Sequence, residues 1–197
     1  MKDLSMPDLC ALRTFPKLLT GLVETRGREI SIREKDLGIW QSWTWSEYYT
    51  EACSLANGLA DCGLRRGDKL AIIGDNRPEL YFGIMATQML GGVPVPMYQD
   101  SIADEMVFIL DHAEVRFAVV EDQEQVDKLL AIREQLPNLE FIIYEDDRGL
   151  RHYHEPGLMS YIAAQARGAE FKVQKPNFVD EEINKGEGKD LAVMLYT

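Results

Sequence analysis

The sequence predicts an α/β fold: a mostly parallel, Rossmann-like sheet with helices on both faces, preceded by a small antiparallel hairpin. Short apolar runs alternate with segments whose apolar residues recur every three or four positions, which is the pattern of βαβ units. The runs are continuously apolar, as is typical of strands buried on both faces. The sheet is expected to contain five strands, at residues 69–73, 93–97, 117–120, 141–144 and 191–196.

The order of elements follows from changes in this periodicity. Residues 1–14 are expected to be a mobile lead, and residues 15–23 a short helix. Residues 29–45 alternate between polar and apolar positions on either side of a glycine and predict the hairpin. Residues 46–197 form the alternating α/β part, which opens with a helix capped by Ser46.

Two features are expected to shape the later part of the sheet. Pro94 and Pro96 lie two residues apart in one strand, so both missing N–H groups lie on the same side, and that side is expected to be incompletely paired. Asp122 is expected to cap a helix. A polar loop then leads to a helix near residues 158–167, and a further turn of helix is expected at 178–183.

The charge of the chain excludes some partners. The 197 residues include 21 Lys and Arg against 33 Asp and Glu, giving a net charge of −12. A protein that binds a nucleic-acid backbone needs basic surface, so no nucleic acid is expected. The same balance argues against docking of a basic patch on anionic lipid. Peripheral membrane contact by other means, and a homodimer, are left open.

Cysteine usage indicates a reducing compartment. Cys10, Cys53 and Cys62 are odd in number and contain no C-x-x-C pair, so we expect buried thiols rather than disulfides or a zinc site. No apolar run reaches the length of a membrane span, and the first residues do not form a secretory signal. A soluble cytoplasmic protein is the expectation.

Ligands of open α/β sheets bind beyond the carboxyl ends of the strands, and these positions show weak signals. Residues 74–77 contain a lone glycine and predict a βα turn, since neither G-x-G-x-x-G nor G-x-x-x-x-G-K-[ST] occurs. The acidic residues at 121–122 and 145–147 are interpreted as solvated caps rather than as metal ligands. His152 and His154 form a weak H-x-H pair without a further ligand. No catalytic residue is assigned.

The run at 191–196 is followed only by Thr197. A ligand loop or crossover helix normally lies at the carboxyl end of a central strand. We therefore expect the chain to be part of a longer protein, cut where a phosphate-binding loop would begin. The alternative is a free-standing, non-catalytic α/β binding module.

Short motifs carry a resemblance to a known family by their order and spacing, from about residue 15 onward. They are WTWSE at 43–47, GL at 58–59 and at 63–64, RGDKLAI at 66–72, NRPE at 76–79, GGVPVP at 91–96, EMVFILDH at 105–112 and DLAVMLYT at 190–197. The chain resembles the N-terminal part of ATP-dependent acyl-CoA synthetases, which are adenylate-forming enzymes. Residues 38–40 and the long segment before residue 190 are most similar to the long-chain fatty acid branch.

The resemblance implies a fatty acid–CoA ligase as the parent protein. Its partners would be fatty acid, ATP and CoA, and the reaction would give acyl-CoA, AMP and pyrophosphate through an acyl-adenylate. The implied cofactors are ATP and Mg²⁺, with Thr197 as the first threonine of a phosphate loop of the form S/T-G-T-T-G-x-P-K-G that binds nucleotide and Mg²⁺. The rest of that loop, the adenine-binding segments, the downstream Glu and the C-terminal domain are absent from this sequence. The fragment alone is therefore expected to be inactive and to bind no cofactor. An adenylating enzyme for another carboxylate is the alternative.

Overall fold

The computed structural model describes residues 13–196. The expected mobile lead falls almost entirely outside the described residues, as do Cys10 and Thr197. In the described part the helices are α1 (Phe15–Arg26), α2 (Trp45–Asp61), α3 (Pro78–Met89), α4 (Ala103–His112), α5 (Gln123–Ala131), α6 (Tyr161–Gln174) and α7 (Phe178–Lys185). The strands are β1 (Ile30–Asp36), β2 (Ile39–Thr44), β3 (Lys69–Ile73), β4 (Val93–Met97), β5 (Val115–Val120), β6 (Phe141–Tyr144) and β7 (Leu158–Ser160).

The strands form two sheets. The hairpin β1–β2 is antiparallel, and the other five strands form a parallel sheet in the order β4–β3–β5–β6–β7. The α/β prediction with its separate hairpin is confirmed. The hairpin packs beside α2 and α3, where the Trp43 ring meets the edge of Phe82 at 6.0 Å.

The prediction of a strand at residues 191–196 is wrong. This segment runs outside the outer edge of β4, where the N–H of Met194 donates to the carbonyl of Pro94 at 3.0 Å. Pro94 and Pro96 offer no N–H groups to that edge, so a ladder cannot form there. Their predicted effect is thus confirmed. The segment lies at the edge of the sheet, so the inference of a cut chain loses the central-strand argument on which it was based.

The fifth strand is instead β7, which pairs with β6 through Leu158, Met159 and Ser160. These residues were predicted to be helical. The helix begins three residues later than predicted, at Tyr161, because the Ser160 hydroxyl accepts the N–H of Ala163 at 3.1 Å and caps α6.

Two helical layers bury the two faces of the sheet. One core contains Leu70 and Ile72 of β3 and packs against α1, α2, α3, α6 and α7. The other contains Ala71 and Ile73 and packs against α4 and α5. Successive side chains of a strand point to opposite faces, which explains why the strands are continuously apolar.

The N-cap residue of α2 differs from the prediction. Thr44, not Ser46, is the N-cap: its hydroxyl accepts the N–H of Glu47 at 3.2 Å, and the Glu47 carboxylate accepts the N–H of Thr44 at 2.8 Å. This is a capping box. Asp122 does cap α5, by accepting the N–H of Gln125 at 3.3 Å.

Candidate functional site

The carboxyl ends of the parallel strands lie at one edge of the sheet. The chain leaves β3 for β4 on one side and leaves β5 for β6 on the other, so the connections diverge between β3 and β5. This is the topological switch point, where open α/β sheets usually bind ligands. The segment after β3 begins with Gly74, and the segment after β5 begins with Glu121.

An ion-pair network fills this switch point. Glu121 is only 8% exposed. Its carboxylate accepts the N–H of Asp75 at 2.6 Å and Nε of Arg77 at 2.8 Å. Arg77 also donates from Nη1 to Glu34 of β1 at 2.8 Å, and the bonds to Glu121 and Glu34 raise the pKa of Arg77. Glu121 is therefore a buried structural carboxylate, and the prediction of a solvated cap at that residue is wrong.

Gly74 shows how closely the switch point is packed. Its φ is 153°, a conformation that side chains rarely adopt. A Cβ at this position would lie 2.6 Å from the Cβ of Glu121 and 2.8 Å from Leu80. A side chain at position 74 would therefore overlap Glu121 and Leu80, and residues 74–77 form the βα turn that the sequence predicts.

A second group of acidic side chains lies nearby, after β6. Burial raises the pKa of Glu145 to about 7, and the carboxylates of Glu79 and Asp146 add to the effect. Burial also raises the pKa of Glu79 and of Tyr161. The Tyr161 hydroxyl is buried without a hydrogen-bond partner among the described residues. This region therefore favours neutral side chains.

Glu145→Gln should stabilise the fold at alkaline pH. Folding raises the pKa of Glu145 from 4.5 to about 7, so its contribution to stability is present in acid and lost as pH rises through about 7. Because Glu145 is only half-buried and water screens its charge, we expect a gain of about 1–2 kcal/mol at about pH 8 that vanishes near pH 4.5. Urea unfolding across this pH range measures it. The exposed Glu134→Gln is the control, and equal profiles for both variants would contradict the assignment.

An open cleft lies beside the switch point, at the carboxyl ends of β3 and β4. It has a volume of about 670 Å³, and its walls include Ile72, Met97 and Tyr196. Among the described residues its charged lining is Asp75 and Asp100, with no Lys or Arg. A smaller cavity of about 220 Å³ lies near the opposite, amino ends of the same strands. Of these two, the larger cleft is placed as a ligand site of this fold class would be.

The residues of the cleft do not fit the phosphates of ATP. Two carboxylates would repel them, and the single glycine after β3 provides no cradle of backbone N–H groups. Within residues 13–196, no cluster of His, Cys, Asp or Glu could hold a metal ion. The described lining of the cleft therefore offers no cationic side chain and no glycine-rich loop to the phosphates of ATP.

Thr197, the predicted phosphate-loop residue, lies outside the described residues. The residue before it, Tyr196, contributes to the cleft wall, and its hydroxyl lies 2.7 Å from Nδ1 of His112. The ring of His112 in turn stacks on Phe108. These contacts hold Tyr196 beside the cleft, and no sequence motif indicated that His112 would contact it.

The other candidate residues have structural roles or none. Burial raises the pKa of the Cys53 thiol to about 11 and also raises that of Cys62, so both thiols are protonated at neutral pH. His152 and His154 belong to no metal cluster in the described part. Over residues 13–196, no helix has the length and apolarity to cross a membrane.

Comparison with known proteins gives one family. The family model described as "AMP-binding enzyme" matches residues 23–197. The long-chain-fatty-acid–CoA ligase ACSBG1 of Rattus norvegicus is 32% identical over 160 residues, which are 80% of this chain and 21% of the rat protein. The human protein of that name is 25% identical over 186 residues, 93% of this chain and 25% of the relative. The chain thus spans about a fifth to a quarter of the length of these curated relatives.

A solved structure shows the same fold. The anthranilate CoA ligase AuaEII in complex with anthranoyl-AMP matches with a TM-score of 0.67 at 20% identity. The match covers 77% of this chain and 27% of that protein. At this identity the likeness establishes the arrangement of sheet and helices.

Proposed function

This chain belongs to the family of AMP-binding enzymes, and from that premise we propose that it is the N-terminal part of a long-chain fatty acid–CoA ligase. The proposal rests on two relatives that are named as long-chain fatty acid–CoA ligases and whose matches cover 80% and 93% of this chain. The reaction proposed for the whole protein joins a fatty acid to CoA, with conversion of ATP to AMP and pyrophosphate through an acyl-adenylate. A cytoplasmic location is part of the proposal, and it is supported by Cys53 and Cys62, which are free thiols in the described part of the chain.

In this proposal the described residues act as scaffold. The extended segment at 191–196 runs along β4 and past the cleft, and Thr197 would start the loop that binds the phosphates of ATP and Mg²⁺. The lining of the cleft within residues 13–196 includes carboxylates and apolar side chains but no Lys or Arg. The phosphate contacts must then come from Thr197 and from parts of the protein beyond this chain. We therefore propose that the 197-residue chain alone is inactive.

Activity assays on the complete protein and on the 197-residue chain test the proposal. The product of the complete reading frame should form acyl-CoA from palmitate, ATP and CoA, and should catalyse palmitate-dependent ATP–pyrophosphate exchange. The 197-residue chain should show no exchange above a heat-denatured control. Preference for anthranilate over palmitate would favour a ligase for another carboxylate. Exchange by the short chain would refute its inactivity.

A matched pair of variants tests Thr197. In the complete protein, Thr197→Ala removes a hydroxyl from the expected phosphate site and should lower the exchange rate about 10- to 100-fold. Thr197→Ser keeps the hydroxyl and should retain most of the activity. Equal exchange rates for the two variants would show that the Thr197 hydroxyl does not contribute to the phosphate site. The non-catalytic module would be favoured if the complete reading frame ended at Thr197 and its product bound palmitate, ATP or CoA without forming acyl-CoA.

A further inference from the structure

The tip of the β1–β2 hairpin is unusual in sequence and conformation. It is a two-residue turn, Leu37-Gly38, with φ of 46° and 84°. Such a turn requires positive φ at both positions, which favours Asn, Asp or Gly at the first. A leucine is unfavourable at the first position because its side chain disfavours a positive φ, and the side chain of Leu37 is also 92% exposed. The chain therefore keeps an apolar side chain where both conformation and solvation oppose it.

Two more apolar side chains extend this tip. Ile39 is 65% exposed and Trp40 is 63% exposed. Trp40 pairs with Lys35 across the hairpin, whereas Trp43, on the other face, packs against Phe82. Because side chains alternate between the faces of a strand, Trp40 projects away from the body of the protein.

The outward face of the hairpin is basic although the whole chain is acidic. Arg33 and Lys35 lie on the same face as Trp40, since they pair with Ser42 and Trp40. Glu34 and Asp36 lie on the opposite face, where Glu34 is paired with Arg77 and the exposed Asp36 stands opposite Ile39. Charges farther away than about 8 Å are largely screened at physiological salt, so the net charge of −12 does not describe the potential at this tip.

We propose that the hairpin tip is a membrane-docking site for a surface containing anionic lipid. Leu37, Ile39 and Trp40 would enter the boundary between headgroups and acyl chains, and Arg33 and Lys35 would contact the anionic headgroups. A Trp beside basic residues is the pattern of an interfacial anchor. This local charge complementarity is the exception to the sequence argument against docking on anionic lipid. The proposal does not depend on the proposed enzymatic activity.

The shape of the tip favours lipid over a protein partner. A stable protein interface buries about 800 Å² on each side and involves about 20 or more residues. A convex two-residue turn with three exposed apolar side chains presents far less than that. Insertion into a lipid interface needs only a few apolar side chains and a charge attraction, so it matches what the tip offers.

Vesicle binding tests the proposal. The 197-residue chain should sediment with vesicles of phosphatidylcholine containing about 30% phosphatidylserine, and binding should weaken as salt is added. The fluorescence of the bound protein should shift to the blue, and Trp40→Phe should abolish that shift. Equal sedimentation with pure phosphatidylcholine would overturn the role of charge and with it the proposal.

Leu37→Asn separates docking from folding. Asn suits the left-handed turn, so the variant should be as stable as the parent chain or more stable in a thermal melt, while vesicle affinity falls about tenfold. The double variant Arg33→Glu/Lys35→Glu should lose binding to the anionic vesicles. Val173→Asn, at a residue of α6 that is 85% exposed, is the control and should bind normally. If Leu37→Asn binds as well as the parent chain, or if the parent chain binds no vesicles, the proposal is wrong.

Discussion

Gly168→Ala should destabilise the chain by about 2–3 kcal/mol, although alanine is the better helix former by about 1 kcal/mol. Gly168 of α6 lies against α2 so closely that a Cβ would sit 2.4 Å from the carbonyl oxygen of Ser54 and 2.7 Å from the amide of Gly58. Both are backbone atoms, so no rotamer change relieves the overlap. The helices must separate, and the core between them then loses its close packing.

A control substitution and a double variant test whether overlap between the backbones of α2 and α6 causes the loss of stability. Gly83→Ala is also in a helix, but its Cβ would lie 3.2 Å from the flexible end of Ile72 and no closer than 3.5 Å to Val119. We therefore expect a change below about 1 kcal/mol. At Gly58 a Cβ would lie 2.1 Å from the carbonyl oxygen of Ala164, in the same contact. Gly58→Ala/Gly168→Ala should cost less than the sum of the single variants, because one separation relieves both overlaps. Urea unfolding measures all four, and a Gly168→Ala chain as stable as the parent would contradict this.

The sequence predicted the parallel sheet well because buried strands are short, apolar and bounded by turns. It was wrong about the fifth strand, because it assigned residues 191–196 to that strand and placed residues 158–160 in a helix. The longer apolar run is the better strand by pattern, yet its neighbour β4 has lost donors at Pro94 and Pro96. The three residues of β7 are too few to show a period, but they lie beside an edge of β6 that can pair. Strand pairing depends on the free groups of the partner, which local pattern does not report.

The candidate site was predictable in position but not in content. The strand-end rule located the residues that follow β3 and β5. It could not show that Glu121 is buried, because the partners of its carboxylate, Asp75 and Arg77, lie 46 and 44 positions earlier in the chain. Acidic residues after strands are usually solvated, and only the fold brings a guanidinium over this one. The family resemblance included Arg77 in its motif without giving it a structural role.

Arg77→Met should destabilise the chain by about 2–3 kcal/mol. Removing the guanidinium leaves the Glu121 carboxylate, 8% exposed, with the N–H of Asp75 as its remaining donor. An unpaired buried charge typically costs about 3–5 kcal/mol, and we expect less here because the Arg77 side chain is 39% exposed and water can partly replace it. Glu34 would also lose its partner, so the hairpin should be held less firmly against the sheet.

The double variant distinguishes a buried charge from lost packing. In Arg77→Met/Glu121→Gln the charge is gone, and the amide oxygen can still accept the N–H of Asp75, so at least about half of the lost stability should return. Arg148→Met is the control: Arg148 is 85% exposed and pairs with Asp146 at the surface, so its loss should cost about 0.5 kcal/mol or less. Urea unfolding gives the four free energies. If the double variant is no more stable than Arg77→Met, the unpaired charge of Glu121 is not what destabilises that variant. Arg77 would then stabilise the switch point through the packing of its side chain.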